Sequence, residues 1–309
     1  QNPRQIALQL VEHLKTACSF CEWSVAGPGF VNISVSSDHI ARHTSSLKND
    51  PRLGCDTRAQ PVSRFIDFGG PNVAKPMHVG HLRSSIIGDA LQRLFRFAGD
   101  TVTSDVHLGD WGTQMGMLID EMKRRQPDLP YFDESGHGPW PEEPPVTIDD
   151  LEAMYPHASA QCKADPDRMK AAQQATVELQ QGRPGYRALW GHFVDVSVAA
   201  LKEDFALLGV TFDLWKGESD TQERVPAMIE RLKNAGHAVE SEGALIIPVE
   251  GDNSKTELPP LLLVKQDGGI LYGTTDLAAI DERVSEMKAQ AIAYVVDKRQ
   301  ALHFTQVFE

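Results

Sequence analysis

The chain has 309 residues, a net charge of −13, 41% hydrophobic and 24% charged residues, a composition ordinary for a soluble globular protein of up to two domains. No apolar run is long enough to span a bilayer and no basic-then-apolar leader opens the chain, so no membrane partner is expected. The acidic balance argues against a surface devoted to nucleic acid, although phosphate contacts need only a local basic patch; the triplet Lys123–Arg125 reads first as a solvated helix face.

The opening, "QNPRQIALQLVEHL", reads as a helix already under way, over about Ile6 to Thr16, as if the N-terminus were clipped. Cys18-x-x-Cys21 has metal or redox spacing, but no second pair completes a zinc site, so a structural or incidental role is expected. With Cys55 and Cys162 these are too few and too scattered for a disulfide framework, which fits a reducing, cytoplasmic compartment. Gly27-Pro28-Gly29 makes a turn, and Val31, Ile33 and Val35 alternate with polar residues as a half-buried strand. A helix follows near Ser37–Lys48, with Asp38 in its first turn. "NDPRLGCDTRAQP" reads as a linker, so residues 1–58 form a small α+β domain and residues 59–309 a second one.

From Val62 the pattern changes. "VSRFIDF" is a strand, and a helix follows in which Leu82, Ile86, Ile87, Ala90, Leu91, Leu94, Phe95 and Ala98 recur at helical spacing. Gly99 ends that helix and "DTVTSDVHL" is the next strand, which makes a βαβ unit and implies a parallel sheet. Residues of about 130–250 read as an insertion: a Pro-rich and acidic surface excursion to about residue 160, helices over 165–236 and the strand "LIIPVE"; "LLLVKQDGGILYGT", beyond it, reads as strands with a hairpin turn at Asp267-Gly268-Gly269. A helix from about Thr275 leads to a buried strand, "AIAYVV", where the sheet resumes, and "ALHFTQVFE" is an amphipathic helix.

His78-x-x-His81 sits where a strand's exit loop meets the first turn of a helix. Free N–H groups and the helix dipole favour anions there, two imidazoles can donate to phosphate oxygens, and Gly80 leaves room for a flat base. Two other readings stay open on the residues alone. The histidines can cap the helix, or they can share a helix face as metal ligands with His107 and Asp105.

"PNVAKPMHVGHLRSSIIGDAL" followed by "LGDWGTQMGMLI", together with "DGGILYGTTDLAA", resembles the catalytic core of class I aminoacyl-tRNA synthetases, specifically the arginyl-tRNA synthetase family. His78-Val79-Gly80-His81 matches the first class I signature. "AGPGFVNI" resembles the end of the family's N-terminal add-on domain, which contacts tRNA, and "WPEEP" and "AVESEGA" resemble its insertion. The resemblance implies a Rossmann-like α/β catalytic domain with a parallel sheet and a mixed, largely helical insertion. It implies that arginine and ATP, with Mg²⁺ accompanying the ATP and no structural metal, give an adenylate, and that the arginyl group then passes to tRNA(Arg). A monomer is expected. By the same resemblance, catalysis falls to His78, His81 and Lys75, with ATP held by His78, Gly80 and His81. Arginine is held by Asp67, Asn72, Tyr272, Asp276 and Gln300. A guanidinium site needs carboxylates and hydroxyls in fixed geometry, which Asp67, Tyr272 and Asp276 supply. The bland readings are a helix cap for Asp276, a strand residue for Tyr272 and a loop lysine for Lys75. His107, at the edge of the second strand, either lines the ligand site or is a packed polar residue.

The sequence departs from the family pattern in places. Gly69-Gly70 stands where a Ser/Ala pair is usual, and Asp67 where Glu is usual. Neither the second signature, Lys-Met-Ser-Lys-Ser, nor an anticodon-reading helical domain follows, so a fragment is expected. Two rival functions remain: another His-x-Gly-His nucleotidylyltransferase, or a truncated synthetase-like regulator that binds nucleotide or RNA.

Overall fold

Asn2 accepts a hydrogen bond from the Arg4 amide and opens helix α1 (Pro3–Ala17). The helix expected to be already under way at the first residue therefore has its own N-cap, with proline at a position where its missing N–H costs nothing. The computed structural model describes residues 2–249, 258–266 and 268–309. They fall into two compact units, Gln1–Arg58 and Ala59–Glu309.

In the first unit α1 is followed by β1 (Cys21–Ala26), β2 (Phe30–Val35) and α2 (Ser37–Leu47). The two strands pair antiparallel from Ala26↔Phe30 to Cys21↔Val35, closed by Gly27 and Gly29 at positive φ. Trp23 and Val25 share a face with Val31 and Ile33, but α1 lies mainly against β1. Ile33 and Val35 are consequently 55% and 43% exposed, so the half-burial expected of that strand stops at Val31.

The second unit begins with β3 (Ser63–Phe68), α3 (Val79–Phe97) and β4 (Thr101–Asp105). The two strands are parallel, with Ser63 opposite Thr101 and Asp67 opposite Asp105, and Gly99, at φ 96°, ends the helix between them. Four helices follow: α4 (Thr113–Arg125), α5 (Ile148–Ala164), α6 (Pro166–Gln180) and the long α7 (Pro184–Leu207). Around Trp111, Met115 and Phe193 they bury an apolar core, which also takes in Tyr131, Phe132 and Leu151. The stretch expected to be a surface excursion is therefore partly interior. Helix α7 ties this core to the sheet, because its last turns carry Leu201 and Phe205 onto Ile66, Phe68 and Val106. Lys123–Arg125 does lie on a half-exposed helix face, where Arg124 and Arg125 pair with Asp120 and Glu121.

Then come α8 (Val225–Asn234), β5 (Val239–Ser241), β6 (Ala244–Ile247) and β7 (Leu261–Val264), the three strands forming a separate antiparallel sheet. Of the expected turn, Asp267 lies outside the described residues; Lys265 N–H donates to Gly269 O and Val264 bridges Ile270. The chain does not continue as a strand from there. The amides of Thr274 and Thr275 close onto Leu271 O, so Tyr272 is the first residue of α9 (Tyr272–Ser285). β8 (Ala291–Val295) returns parallel to β3, giving the sheet order β4-β3-β8, and is half-buried along its length; α10 (Ala301–Phe308) closes the unit. This is a Rossmann-like α/β fold in which the helices α4 to α9 and the antiparallel sheet lie, in sequence, between the parallel strands β4 and β8.

Of the apolar residues at helical spacing in α3, Leu91 and Phe95 pack, partly buried, against the core around Ile66 and Phe68. Leu82, Ile86, Ile87 and Leu94 are exposed, Leu94 by 58%, while Ser85, Gly88, Asp89 and Gln92 are buried. The reason is a close approach. A Cβ on Gly88 would stand 2.1 Å from the Phe68 ring, so the helix lies on the sheet along the stripe of Ser85, Gly88, Asp89 and Gln92, with Leu91 and Phe95 beside it. Hydrogen bonds from Ser85 to His81 O and from Gln92 Nε2 to Asp89 Oδ1 and Thr211 O tie down that stripe, while Gln92 Oε1 is buried without a partner among the described residues.

Candidate active site

Beyond the C-terminal ends of β3 and β4 their exit loops zip together. Gly70 N–H donates to Val106 O, Gly109 N–H to Pro71 O and Val73 N–H to Gly109 O, each at 3.1 Å. Residues 214–218 add along the outer edge of β4 through bridges Asp105↔Leu214 and Leu108↔Gly217, which delivers Glu218 to the same end of the sheet. With the start of α3, the start of α9 and the segment after β8, these loops enclose a cavity of about 630 Å³. A second cavity of about 320 Å³ adjoins it and shares the walls Asn72, Glu218 and Tyr272.

At one end stands the start of α3. Gly80 N–H donates to His78 Nδ1 at 3.0 Å, and His78 N–H to His81 Nδ1 at 3.4 Å. The rings stack at 3.9 Å. Capping and ligand binding are thus compatible roles: a neutral ring whose Nδ1 accepts carries its proton on Nε2, as a donor. Burial, with His78 and Lys75 nearby, holds the His81 pKa down to about 4. Gly80 is required here for a local reason as well, since a Cβ would meet the His78 ring at 2.8 Å.

The other end is carboxylate-rich. Asp276 Oδ2 lies 2.6 Å from His303 Nε2, and the Tyr272 ring sits edge-on to His303 at 4.6 Å. Burial, opposed by His107 and reinforced by Asp110 and Asp276, pushes the Glu218 carboxyl up to about 7.

Beneath both ends lies a buried charge cluster. Arg283, 2% exposed, donates to Asp67 Oδ2 at 2.7 Å, to Asp105 Oδ2 at 3.3 Å and to the Tyr294 hydroxyl at 2.6 Å. Burial pushes the Asp67 carboxyl up against the pull of Arg283. His107, at φ 45°, places Nδ1 3.5 Å from Asp105 Oδ2. Burial opposes its charge, but Asp105 and Asp67 outweigh burial and push its pKa up to about 9. Among the described residues no group of three or more His, Cys, Asp or Glu side chains is placed to hold a metal ion, so His78 and His81 gain no third ligand from Asp105 and His107.

A family described as tRNA synthetases class I (R), catalytic domain, matches residues 44–309, and the arginyl tRNA synthetase N terminal domain matches residues 1–35. The chain belongs to the class I (R) tRNA synthetase family. It is 55% identical over 307 residues to the arginine--tRNA ligase of Maricaulis maris (strain MCS10), which covers 99% of this chain and 52% of that protein. To the arginine--tRNA ligase of Francisella tularensis subsp. novicida (strain U112) it is 51% identical over 306 residues, covering 99% and 52%. The chain thus spans about half the length of the curated relatives it matches. The crystal structure of the Plasmodium falciparum arginyl-tRNA synthetase superposes with a TM-score of 0.76 at 25% identity, covering all of this chain and 51% of that one. The Thermus thermophilus arginyl-tRNA synthetase, at 20% identity and a TM-score of 0.64, covers 92% and 45% and speaks to the fold alone.

Of the residues singled out by the family motifs, Asp67, Asn72, His78, Gly80, His81, Tyr272, Asp276 and Gln300 line the larger cavity, and His107 joins them. Lys75 does not; its Nζ lies 4.5 Å from the centroid of the Tyr155 ring on α5. Asp67 has one oxygen engaged by Arg283. Sequence reading passed over Glu218, Arg283 and His303. Glu218 sits in a polar stretch, "KGESD", that reads as loop, and Arg283 in "IDERVS" reads as helix surface. His303 carried a usable signal: it lies three residues after Gln300, on the same face at the start of α10.

Proposed function

We propose that the cavity activates arginine with ATP and passes the arginyl group to the 3′ end of tRNA(Arg). Family membership supports the reaction class. The observation that carries the arginine assignment is the carboxylate end of the cavity, where Glu218, Asp276 and Tyr272 surround one space. A guanidinium keeps its charge at any working pH and presents five donors, which these acceptors match.

In this reading the adenine and phosphates of ATP lie at the start of α3. The Nε2–H groups of His78 and His81 donate to oxygens of the reacting phosphate, alongside the helix dipole. The arginine carboxylate attacks the α-phosphorus. The new P–O bond forms as the bond to the β-phosphate oxygen breaks, and pyrophosphate leaves. His78 and His81 stabilise the extra negative charge of the pentacoordinate phosphorus. Lys75, held over Tyr155 on the loop just before them, is proposed to swing toward the departing pyrophosphate. In the second step a ribose hydroxyl of the terminal nucleotide attacks the carbonyl carbon and AMP leaves. Mg²⁺ is proposed to arrive on the triphosphate and to neutralise its charge, with phosphate oxygens and water as ligands. Asn72 and Gln300 are proposed to hold the amino-acid end.

We also propose that residues 1–58 belong to a tRNA-contacting module and that about 130–250 form the insertion of the catalytic domain. No helix among the described residues is long and apolar enough to cross a membrane. A cytoplasmic monomer is the working proposal for the protein. The Asp276→Asn variant tests the arginine site: the KM for arginine rises roughly tenfold or more while that for ATP stays near its wild-type value. Equal effects on both substrates would remove Asp276 from the guanidinium site.

A further inference from the structure

One buried nitrogen on the cavity wall has no partner among the described residues. It is His107 Nε2, buried on a side chain only 11% exposed. Its backbone stands at φ 45°, a conformation that a residue other than glycine adopts seldom and that costs free energy unless the surroundings impose it. The surroundings do impose it: Val106 is fastened to Gly70 and Leu214, and Leu108 to Lys216. The ring is thereby fixed between Asp105 beneath it and the cavity in front.

The other basic groups on that wall are engaged. Arg299 is clamped to Asp297 through two nitrogens, and His303 is bonded to Asp276. His78 and His81 sit at the nucleotide end. An amino acid whose cationic side chain enters between Glu218 and Asp276 also brings a carboxylate, and this carboxylate needs a cationic donor near Asn72. Asn72 itself bridges to Gly109, two residues beyond His107.

We propose that His107 receives the carboxylate of the bound amino acid, its Nε2–H donating to the oxygen that does not attack phosphorus. The inference rests on the arginine reading given above and assigns a binding role to a residue for which the sequence left two readings open. Two carboxylates, Asp67 and Asp105, face one guanidinium, Arg283, in the cluster beneath. The imidazole joins this cluster through Nδ1, 3.5 Å from Asp105 Oδ2 and 3.4 Å from Arg283 Nη2, which leaves Nε2 on the other side of the ring.

Agmatine, which is arginine without its carboxylate, separates this role from a structural one. Binding of arginine and of agmatine is measured by calorimetry on the full chain, as wild type, His107→Asn and His107→Gln. Asparagine tolerates the left-handed backbone better than most residues, so at least one variant keeps the loop. The expected result is a dissociation constant for arginine raised ten- to hundred-fold in the variants, with agmatine within about twofold of wild type. Parallel losses for both ligands, or unchanged arginine binding, would overturn the inference. So would wild-type protein that binds agmatine as tightly as arginine, whatever the variants do. Wild-type protein that binds neither ligand would instead overturn the arginine reading, and the inference with it.

Discussion

His303 Nε2 lies 2.6 Å from Asp276 Oδ2, and the Tyr272 ring stands edge-on to the same imidazole at 4.6 Å. One histidine on α10 therefore orients both side chains that α9 contributes to the carboxylate end of the cavity. The bond engages one carboxylate oxygen and leaves the other for a ligand. The His303→Ala variant should raise the KM for arginine about tenfold, the worth of roughly 1.4 kcal/mol, with little change in the KM for ATP. His303→Gln, which keeps an N–H donor, should recover part of the loss. Steady-state kinetics with each substrate varied in turn checks this, and equal rises in both KM values would assign His303 to general packing.

Glu218 makes a prediction with a sign. Its folded-state pKa of about 7 stands above the ordinary 4.5, so between those values the folded protein holds a proton that the unfolded chain releases. Stability is therefore lost as pH rises from 4.5 to 7, and the full cost of the buried charge is present above 7. Glu218→Gln should stabilise the protein at pH 8 by up to about 3 kcal/mol, read by urea unfolding. The same variant should bind arginine more weakly. Wild-type affinity should fall as pH drops through 7, because a cation favours the ionised carboxylate, whereas the variant should be nearly flat from about pH 6 to 8.

Arg283 holds the ends of β3 and β4 together through Asp67 and Asp105. Arg283→Met should cost about 3–5 kcal/mol at neutral pH, because it strands two buried carboxylates. Acidification should narrow the gap to wild type, since protonating Asp67 relieves the repulsion. Chemical denaturation at pH 5 and pH 7.5 gives both numbers, and a variant as stable as wild type at pH 7.5 would mean that the cluster is solvated.

The βαβ unit was legible because three local signals agree: the strand Ser63–Phe68, helical periodicity after His78, and Gly99 at the stop. Periodicity did not say which face of α3 meets the sheet. The apolar stripe of Leu82, Ile86 and Leu94 is real, yet Phe68 admits only the stripe containing Gly88, a contact between residues twenty positions apart. His78, His81, Asn72, Tyr272 and Asp276, all named from the motifs, line one cavity. Glu218 escaped because its place depends on residues 214–218 zipping onto β4, more than a hundred residues upstream. Arg283 escaped because a buried guanidinium looks like an exposed one until its two carboxylates are seen to converge on it. The end of β7 was misread for a smaller reason: alternation through "ILYGT" hides the turn at Leu271 that starts α9.

Pyrophosphate exchange into ATP tests the central claim most directly. With the full chain, ATP, Mg²⁺ and tRNA(Arg) present, exchange should require arginine, should fail with lysine in place of arginine, and should fall roughly a hundredfold or more when His78 and His81 are both replaced by alanine. Exchange driven equally well by another amino acid, or full exchange in the doubly substituted protein, would contradict the account.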